Sequence, residues 1–114
     1  MQVIVNTDHN LAASDDLSAR VEADVTAAID RFSDRVTRVE VHLNDENSSK
    51  AGPADKRCMM EARVSGQPPL AVTANAADYD LAIASAADKL TRALDSLLGR
   101  LDDRRGATEP APSE

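Results

Sequence analysis

The chain has 114 residues, of which 42% are hydrophobic and only 2% aromatic, and its formal charge is −7. This length is typical of one compact domain, whose core must be aliphatic because Phe32 and Tyr79 are the only aromatic residues. A net acidic surface repels phosphate, which argues against nonspecific binding of nucleic acids. The charge is uneven, however. Residues 1–30 contain six acidic residues and one basic residue, whereas residues 31–63 contain six acidic and seven basic ones.

Secreted and membrane proteins are disfavoured by the absence of their signals. A single cysteine, Cys58, excludes an internal disulfide and is typical of a reducing compartment. The opening MQVIVNTDHN lacks the basic and long apolar regions of a signal peptide. No apolar run approaches the ~18 residues that span a membrane. We therefore expect a soluble cytoplasmic protein without membrane contact.

The N-terminal third of the chain predicts a strand followed by a helix. A short β-branched run predicts the strand over residues 2–7, and the turn-prone sequence NTDHN ends it. Ser14 offers an N-cap hydroxyl, with Asp15 and Asp16 in the first helical turn. The helix is predicted over residues 15–33 by apolar residues at helical spacing: Leu17, Val21, Val25, Ala28, Ile29 and Phe32.

The middle of the chain predicts three further strands. From Arg35 the hydrophobic period becomes two, as in a strand with one buried face: Val39, Val41 and Leu43 alternate with polar residues. Residues 44–54 contain Gly52-Pro53 and predict a hairpin loop. A second alternation predicts Cys58, Met60, Ala62 and Val64 on one face of the next strand. After the turn at residues 65–69, residues 70–74 predict the last strand.

The longest periodic stretch, from Asp78 to Leu101, predicts an uninterrupted helix. Its apolar residues form one stripe that we interpret as core: Ile83, Ala87, Leu90, Leu94, Leu97 and Leu101, widened by Leu81, Ala84 and Leu98. Asn75 is the candidate N-cap. Residues 106–114, GATEPAPSE, predict a disordered acidic tail because they are polar and contain proline.

These elements predict an α+β fold of order β-α-β-β-β-α. Three consecutive antiparallel strands form a meander, and the first strand reaches the second by a right-handed crossover through the first helix. Both helices then pack on one face of a four-stranded sheet, giving a two-layer sandwich. The other face is expected to be open to solvent and to display Arg38, His42, Arg57, Met59 and Arg63.

The chain also resembles a known family. RVTRVEVHLNDEN (residues 35–47), LAVTANAADYDLAIASAADKLTRAL (residues 70–94) and the opening NTDHNLAASDDLSARVEADV (residues 6–25) resemble the ribosome hibernation-promoting factor and ribosome-associated inhibitor family. Its members are also called sigma-factor modulation proteins. The resemblance rests on order and spacing, and it extends to about Leu101. It implies one such domain over residues 1–105, of the short type that lacks a C-terminal dimerisation domain.

The resemblance implies a translation inhibitor or hibernation factor. Family members bind the small ribosomal subunit in the cleft between head and body, where messenger and transfer RNA would sit. Departures from the family pattern keep a second hypothesis open, because the first helix is acidic and acidic and apolar residues occupy Asp95–Asp103. The alternative is a divergent member without ribosome binding, acting as a protein-interaction module or homo-oligomer through Met59 and the Leu97/Leu98 surface.

Nine basic residues are the candidate RNA contacts, because phosphate recognition needs fixed cations and particularly the guanidinium fork. They are Arg31, Arg35, Arg38, Lys56, Arg57, Arg63, Lys89, Arg92 and Arg100. The competing interpretation is that each cation pairs with a nearby carboxylate. Examples are Arg92 with Asp88, four residues earlier, and Arg63 with the neighbourhood of Glu61.

Catalysis and metal binding find no support in the sequence. His9, His42 and Cys58 lack the close spacing of a zinc site, and Cys58 falls at a predicted core position. The chain contains no Gly-rich phosphate loop, no paired catalytic carboxylates and no Ser-His-Asp order. We expect no enzymatic activity, cofactor, metal or small-molecule substrate, and the small ribosomal subunit with its RNA as partner.

Overall fold

Four strands and two helices follow one another in the predicted order in a computed structural model of the chain, which describes residues 1–7, 15–45 and 56–107. The strands are β1 (Gln2–Thr7), β2 (Val36–Asp45), β3 (Lys56–Val64) and β4 (Leu70–Ala76). The helices are α1 (Asp15–Ile29), continued by a 3-10 turn (Asp30–Phe32), and α2 (Tyr79–Ala107). The predicted α+β class and element order are confirmed.

The sheet has the strand order β1-β2-β3-β4. β1 pairs with β2 in parallel, while β2–β3 and β3–β4 are antiparallel, which confirms the predicted meander. Parallel neighbours need a crossover connection, and α1 lies in that connection between β1 and β2. All charged open-face residues discussed below therefore come from consecutive strands of one sheet.

The core lies between the sheet and the two helices. The buried face of the sheet is the predicted one: Val39, Val41, Leu43, Cys58, Met60, Ala62 and Val64 are all buried. From α1 and its 3-10 turn, Leu17, Val21, Val25, Ile29 and Phe32 cover it. From α2, the buried side chains are Ala82, Ile83, Ala86, Ala87, Leu90, Leu94 and Leu98. One hydrophobic layer, made almost wholly of aliphatic side chains, therefore stabilises the domain.

The predicted apolar stripe of α2 is too wide at its N-terminal end. Leu81 is 57% exposed and Ala84 is also exposed, whereas Leu97 and Leu101 are half-buried. Leu81 lies seven residues, or about two helical turns, before Asp88, and Ala84 lies four residues before it. Both residues consequently share the solvent face of the helix with Asp88 and do not extend the core.

The N-cap of α2 is Asp78 and not Asn75, as the sequence had suggested. The backbone N–H of Leu81 donates to Asp78 Oδ1 at 2.8 Å, the side-chain bond that an N-cap makes to the third helical residue. Asn75 lies within β4, because that strand continues to Ala76, two residues beyond the predicted end. The extra strand residues pair with the start of β3.

Three predictions concern residues outside the described ranges. The N-cap Ser14, the loop residues 46–54 and the tail residues 108–114 all lie there. The predicted disordered tail begins too early, however, because α2 continues through Gly106 and Ala107. Arg and Ala are good helix formers, and they precede the polar, proline-containing end of the chain.

Candidate nucleic-acid interface

The open face of the sheet carries charges in matched rows. Arg38 of β2 lies opposite Arg63 of β3, and Glu40 lies opposite Glu61. Arg63 is exposed, while Arg38, His42, Arg57 and Met59 are half-buried, so the five residues predicted for this face are all accessible. Like charges directly opposite each other in a sheet repel. The two rows have opposite charges and are two positions apart along the strands, and Glu40 of one row pairs with Arg38 of the other.

A β-bulge at the beginning of β2 changes which face of the sheet the neighbouring side chains occupy. The β2–β3 register shifts between Val36 and Arg38, so Thr37 is an extra residue on β2. Val36 and Val39 both face the core although they are three positions apart, which leaves Thr37 and Arg38 together on the accessible side. Thr37 Oγ1 donates to the carbonyl oxygen of Arg63 at 3.3 Å and joins the two strands at this point.

Beside the bulge is a cleft with a volume of about 350 Å³, lined by Gln2, Thr37, Arg38 and Arg63. We call it the Arg38–Arg63 cleft. Gln2 reaches it because β1 places Gln2 in register with Arg38. Its lining contains two guanidinium groups, one amide and one hydroxyl, and no carboxylate. This composition favours an anionic ligand.

In the guanidinium group of Arg38, one nitrogen is in an ion pair and another has no hydrogen-bond partner. Its Nη2 donates to Glu40 Oε2 at 2.9 Å. Its Nε is buried and has no hydrogen-bond partner, the one such side-chain nitrogen or oxygen among the described residues. Glu40 Oε1 also lies 3.5 Å from His42 Nε2. Glu40 thus fixes the guanidinium of Arg38 in place, while the buried Nε–H has no acceptor among the described residues.

On the helical side of the domain, too, arginines are paired with carboxylates. Arg31 Nη2 donates to Asp95 Oδ2 at 2.8 Å, and its guanidinium carbon lies 4.4 Å from the centre of the Phe32 ring. Arg92 Nη2 lies 2.7 Å from Asp88 Oδ2, which confirms the predicted i, i+4 pair. These contacts reduce the positive charge that the helices present to a phosphate backbone.

The remaining candidates are dispersed over the surface. Lys89 Nζ donates to the carbonyl oxygen of Thr73 at 2.9 Å, and Lys56 Nζ lies 5.9 Å from the centre of the Tyr79 ring. Arg57 lies opposite Asn75 at the other end of the sheet, and Arg100 is exposed on α2. Arg35 shares a shallow depression of about 340 Å³ with Arg31, Phe32, Asp34, Asp95, Leu98 and Gly99.

Two pairs of the nine predicted contacts share a depression in the structure, Arg38 with Arg63 and Arg31 with Arg35. Arg63 forms no ion pair within the described part of the chain, although the sequence suggested one near Glu61. Arg38, in contrast, pairs with Glu40. Arg63 and Arg38 share a cleft whose lining contains no carboxylate, although Glu40 pairs with Arg38 from outside it.

Two lining residues of that cleft were missed by the sequence reasoning. Gln2 is uncharged and 36 positions from its partner Arg38, so no local pattern connects the two. Thr37 had a weak signal. The core residues Val36 and Val39 are three positions apart inside an otherwise period-two strand, and such a break is typical of a bulge.

The surroundings of Cys58 exclude a role in this site. Its side chain is fully buried on the opposite, core-facing side of the sheet, and burial raises the pKa of the thiol to about 12. Among the described side chains, no group of three His, Cys, Asp or Glu residues is placed to hold a metal ion. None of the helices in the described ranges has the length and apolarity needed to cross a membrane.

Comparisons with known proteins agree with the fold. A family profile described as sigma 54 modulation protein / S30EA ribosomal protein matches residues 4–102. The N-terminal domain of protein Y from Thermus thermophilus is similar in structure with a TM-score of 0.68 and 24% identity, covering 85% of this chain and 99% of that chain. A ribosomal subunit interface protein from Coxiella burnetii has a TM-score of 0.71 and 13% identity, covering 87% and 99%. No curated protein sequence matches the chain.

Proposed function

Because the chain belongs to the family of sigma 54 modulation and S30EA ribosomal proteins, we propose that it binds the small ribosomal subunit and inhibits translation as a hibernation factor. The family profile spans residues 4–102, nearly all of the predicted domain, and this observation carries the proposal. The site of action is the cleft that messenger and transfer RNA would occupy. The place of action is then the cytoplasm, and the mechanism is steric occlusion without enzymatic catalysis.

The charges of the open face support one choice of contact surface within this proposal. There, Arg38, Arg57 and Arg63 stand against Glu40 and Glu61, so the arginines outnumber the carboxylates. Arg31 and Arg92 are each paired with a carboxylate of α2, as Arg38 is with Glu40. Ribosomal RNA is recognised through its phosphates. The open face of the sheet, and above all its Arg38–Arg63 end, is therefore the surface we propose to face the RNA.

Co-sedimentation with purified small ribosomal subunits at low and high salt tests the proposal. We expect binding at low salt that weakens as salt rises, because phosphate contacts release counterions. Prior addition of messenger RNA and transfer RNA should reduce the bound fraction if the protein binds in the cleft of the small subunit that these RNAs occupy. Absence of binding at low salt would contradict the proposal.

The second hypothesis, a protein-interaction module or homo-oligomer, is favoured by the carboxylate-paired cations of the helices. Its expected apolar contact surface is smaller in the structure than in the sequence, because Leu98 is only 6% exposed and Met59 and Leu97 are half-buried. Among the described large hydrophobic residues, Met1 and Leu81 are the exposed ones. Sedimentation equilibrium over a range of protein concentrations tests it, and a monomer without ribosome binding would leave the search to other protein partners.

A further inference from the structure

We propose that the Arg38–Arg63 cleft is a binding site for a single phosphate group, held by both guanidinium groups and specifically by the Nε–H of Arg38. This inference deepens the proposed function. It rests on that function only in one respect, namely that the phosphate is a phosphodiester of RNA. A free phosphate ion or a nucleotide carries the same chemistry.

The first argument is charge. Arg38 and Arg63 lie directly opposite each other on neighbouring antiparallel strands, and like charges in this position repel. Glu40 offsets the charge of Arg38, whereas Arg63 has no ion pair within the described part of the chain. The nearest row of carboxylates, Glu40 and Glu61, is two positions further along the strands and does not line the cleft. A phosphate in the cleft would receive hydrogen bonds from both arginines, and charge-assisted bonds to Arg are the stronger kind.

The second argument is the unsatisfied donor. A buried N–H without a partner has lost its hydration and gained nothing in return, so such groups are rare in folded proteins. Arg38 Nε is in this position, although the Nη2 of the same guanidinium is bound to Glu40. A phosphate oxygen would supply the missing acceptor after a small rotation of the Arg38 side chain, because the Nε atom is covered in the unliganded domain. An ordinary surface arginine would have all its donors in water or on carboxylates.

The third argument is that the site is already organised. The bulge at Thr37, the hydrogen bond from Thr37 Oγ1 to the Arg63 carbonyl and the register of Gln2 fix the backbone around the cleft. Glu40 restrains the guanidinium of Arg38, so less side-chain freedom is lost on binding. The Gln2 amide adds a neutral donor at the rim.

The test uses inorganic phosphate as the probe and the full chain. Phosphate replaces chloride at constant ionic strength while the Nε–Hε resonance of Arg38 is followed by NMR, up to about 50 mM phosphate, above the millimolar range expected for one such contact. We expect a saturable shift of that resonance. Arg38→Gln and Arg63→Gln should each weaken binding at least about tenfold, the scale of one hydrogen bond to a charged group. Arg20→Gln, which removes an exposed arginine from α1, is the matched control and should change affinity less than twofold.

Arg38→Lys separates the proposal from simple charge attraction. Lysine keeps the positive charge and lacks Nε, so we expect binding about threefold weaker or worse than in the unsubstituted chain. Lysine binding as tightly as arginine would overturn the assigned role of Nε. If the Nε–Hε resonance of Arg38 does not shift in a saturable way when phosphate replaces chloride, the site itself is overturned.

A short oligouridylate without terminal phosphate distinguishes the sources. Tighter binding than inorganic phosphate, with a log–log salt slope that falls by about 0.7 for each removed arginine, identifies a phosphodiester as the ligand. Binding of inorganic phosphate alone would support the site and assign it to a free phosphate group. Saturable phosphate binding without ribosome co-sedimentation would support the site and contradict the proposed function. Co-sedimentation with ribosomal subunits without any response to phosphate would support the proposed function and contradict the phosphate site.

Discussion

Arg31 and Asp95 join the end of the first helical segment to the middle of α2 through a 2.8 Å ion pair. A second pair, Arg20 with Asp80 at 3.0 Å, joins the two helices near the start of α2. Residue numbers increase in the same direction along both helices, so α1 and α2 run parallel over the sheet. Two carboxylates of α2, Asp80 and Asp95, therefore hold arginines on the helical surface.

The Arg31–Asp95 pair predicts an increase in affinity on removal of its acid. We expect Asp95→Asn to strengthen ribosome association about 1.4- to 5-fold at low salt, because an exposed ion pair of about 0.2–1 kcal/mol no longer restrains Arg31. Arg31 would then be a second RNA contact besides those on the open face of the sheet. Co-sedimentation measures the effect. Asp80→Asn, which frees Arg20, is the matched control because Arg20 is not a predicted contact. An equal gain in both variants would indicate a general charge effect without a specific role for Arg31.

Charge reversal at the beginning of β2 predicts the opposite effect. We expect the double variant Arg35→Glu, Arg38→Glu to lose ribosome binding while it folds normally, since neither side chain lies in the hydrophobic core. Two new acids would repel phosphates and would also remove the Arg38–Glu40 pair. Co-sedimentation and circular dichroism check the two halves of the statement. A folded variant that still co-sediments would remove both residues from the interface.

The correction to the α2 stripe predicts a sharp contrast between two leucines. Leu90 is fully buried and Leu81 is 57% exposed. Leu90→Ala should lower the free energy of unfolding by about 2–5 kcal/mol, through lost burial and a cavity. Leu81→Ala should change it by less than about 0.5 kcal/mol. Urea unfolding measures both, and a large loss in Leu81→Ala would show that this surface is covered in solution.

The N-cap assignment predicts the effect of substitutions at Asp78. Asp78→Ala should lower the free energy of unfolding by about 1 kcal/mol, because the N–H of Leu81 loses its side-chain acceptor. Asp78→Asn keeps an oxygen at the same position and should be nearly neutral. Urea unfolding of the two variants distinguishes the cap from a simple loss of negative charge, which both substitutions share.

The buried thiol predicts a dependence of stability on alkaline pH. The pKa of Cys58 rises from 9.0 to about 12 on burial, so the folded state keeps its proton where the unfolded state loses it. This stabilisation is complete below pH 9 and is lost as the pH rises towards 12. Between about pH 8.5 and 10 the free energy of unfolding should fall by about 1 kcal/mol.

Cys58→Ala is the control for this measurement. The variant should be less stable at neutral pH because of its smaller side chain, and it should lack the alkaline decrease that comes from the thiol. Urea unfolding at several pH values compares the two proteins. The same decrease in both would attribute it to other titrating groups. The native thiol should also react slowly with thiol reagents at pH 8, because its thiolate is scarce.

Local patterns were sufficient for most of the fold. The period of two in β2 and β3 identified the buried residues from Val39 to Leu43 and from Cys58 to Val64, because alternate side chains of a strand must point to opposite sides. It missed the buried Val36, which precedes the bulge. The 3.6-residue period identified most of the helical core for the same geometric reason. It failed at Leu81, where hydrophobicity suggested burial and the helical phase, shared with Asp88, placed the side chain in solvent.

The candidate site, in contrast, depended on contacts between distant residues. The sequence determined that arginines would occupy the accessible positions of β2 and β3, since the alternation excludes them from the core. Only the tertiary structure decided which cations remain available. Asp95 lies 64 positions from the Arg31 that it binds, and Gln2 reaches Arg38 through the pairing of parallel strands. The bulge at Thr37 sets Arg38 opposite Arg63. Strand register and helix packing bring such distant groups together. The local periods of a sequence do not contain this information, because they describe only residues that are close along the chain.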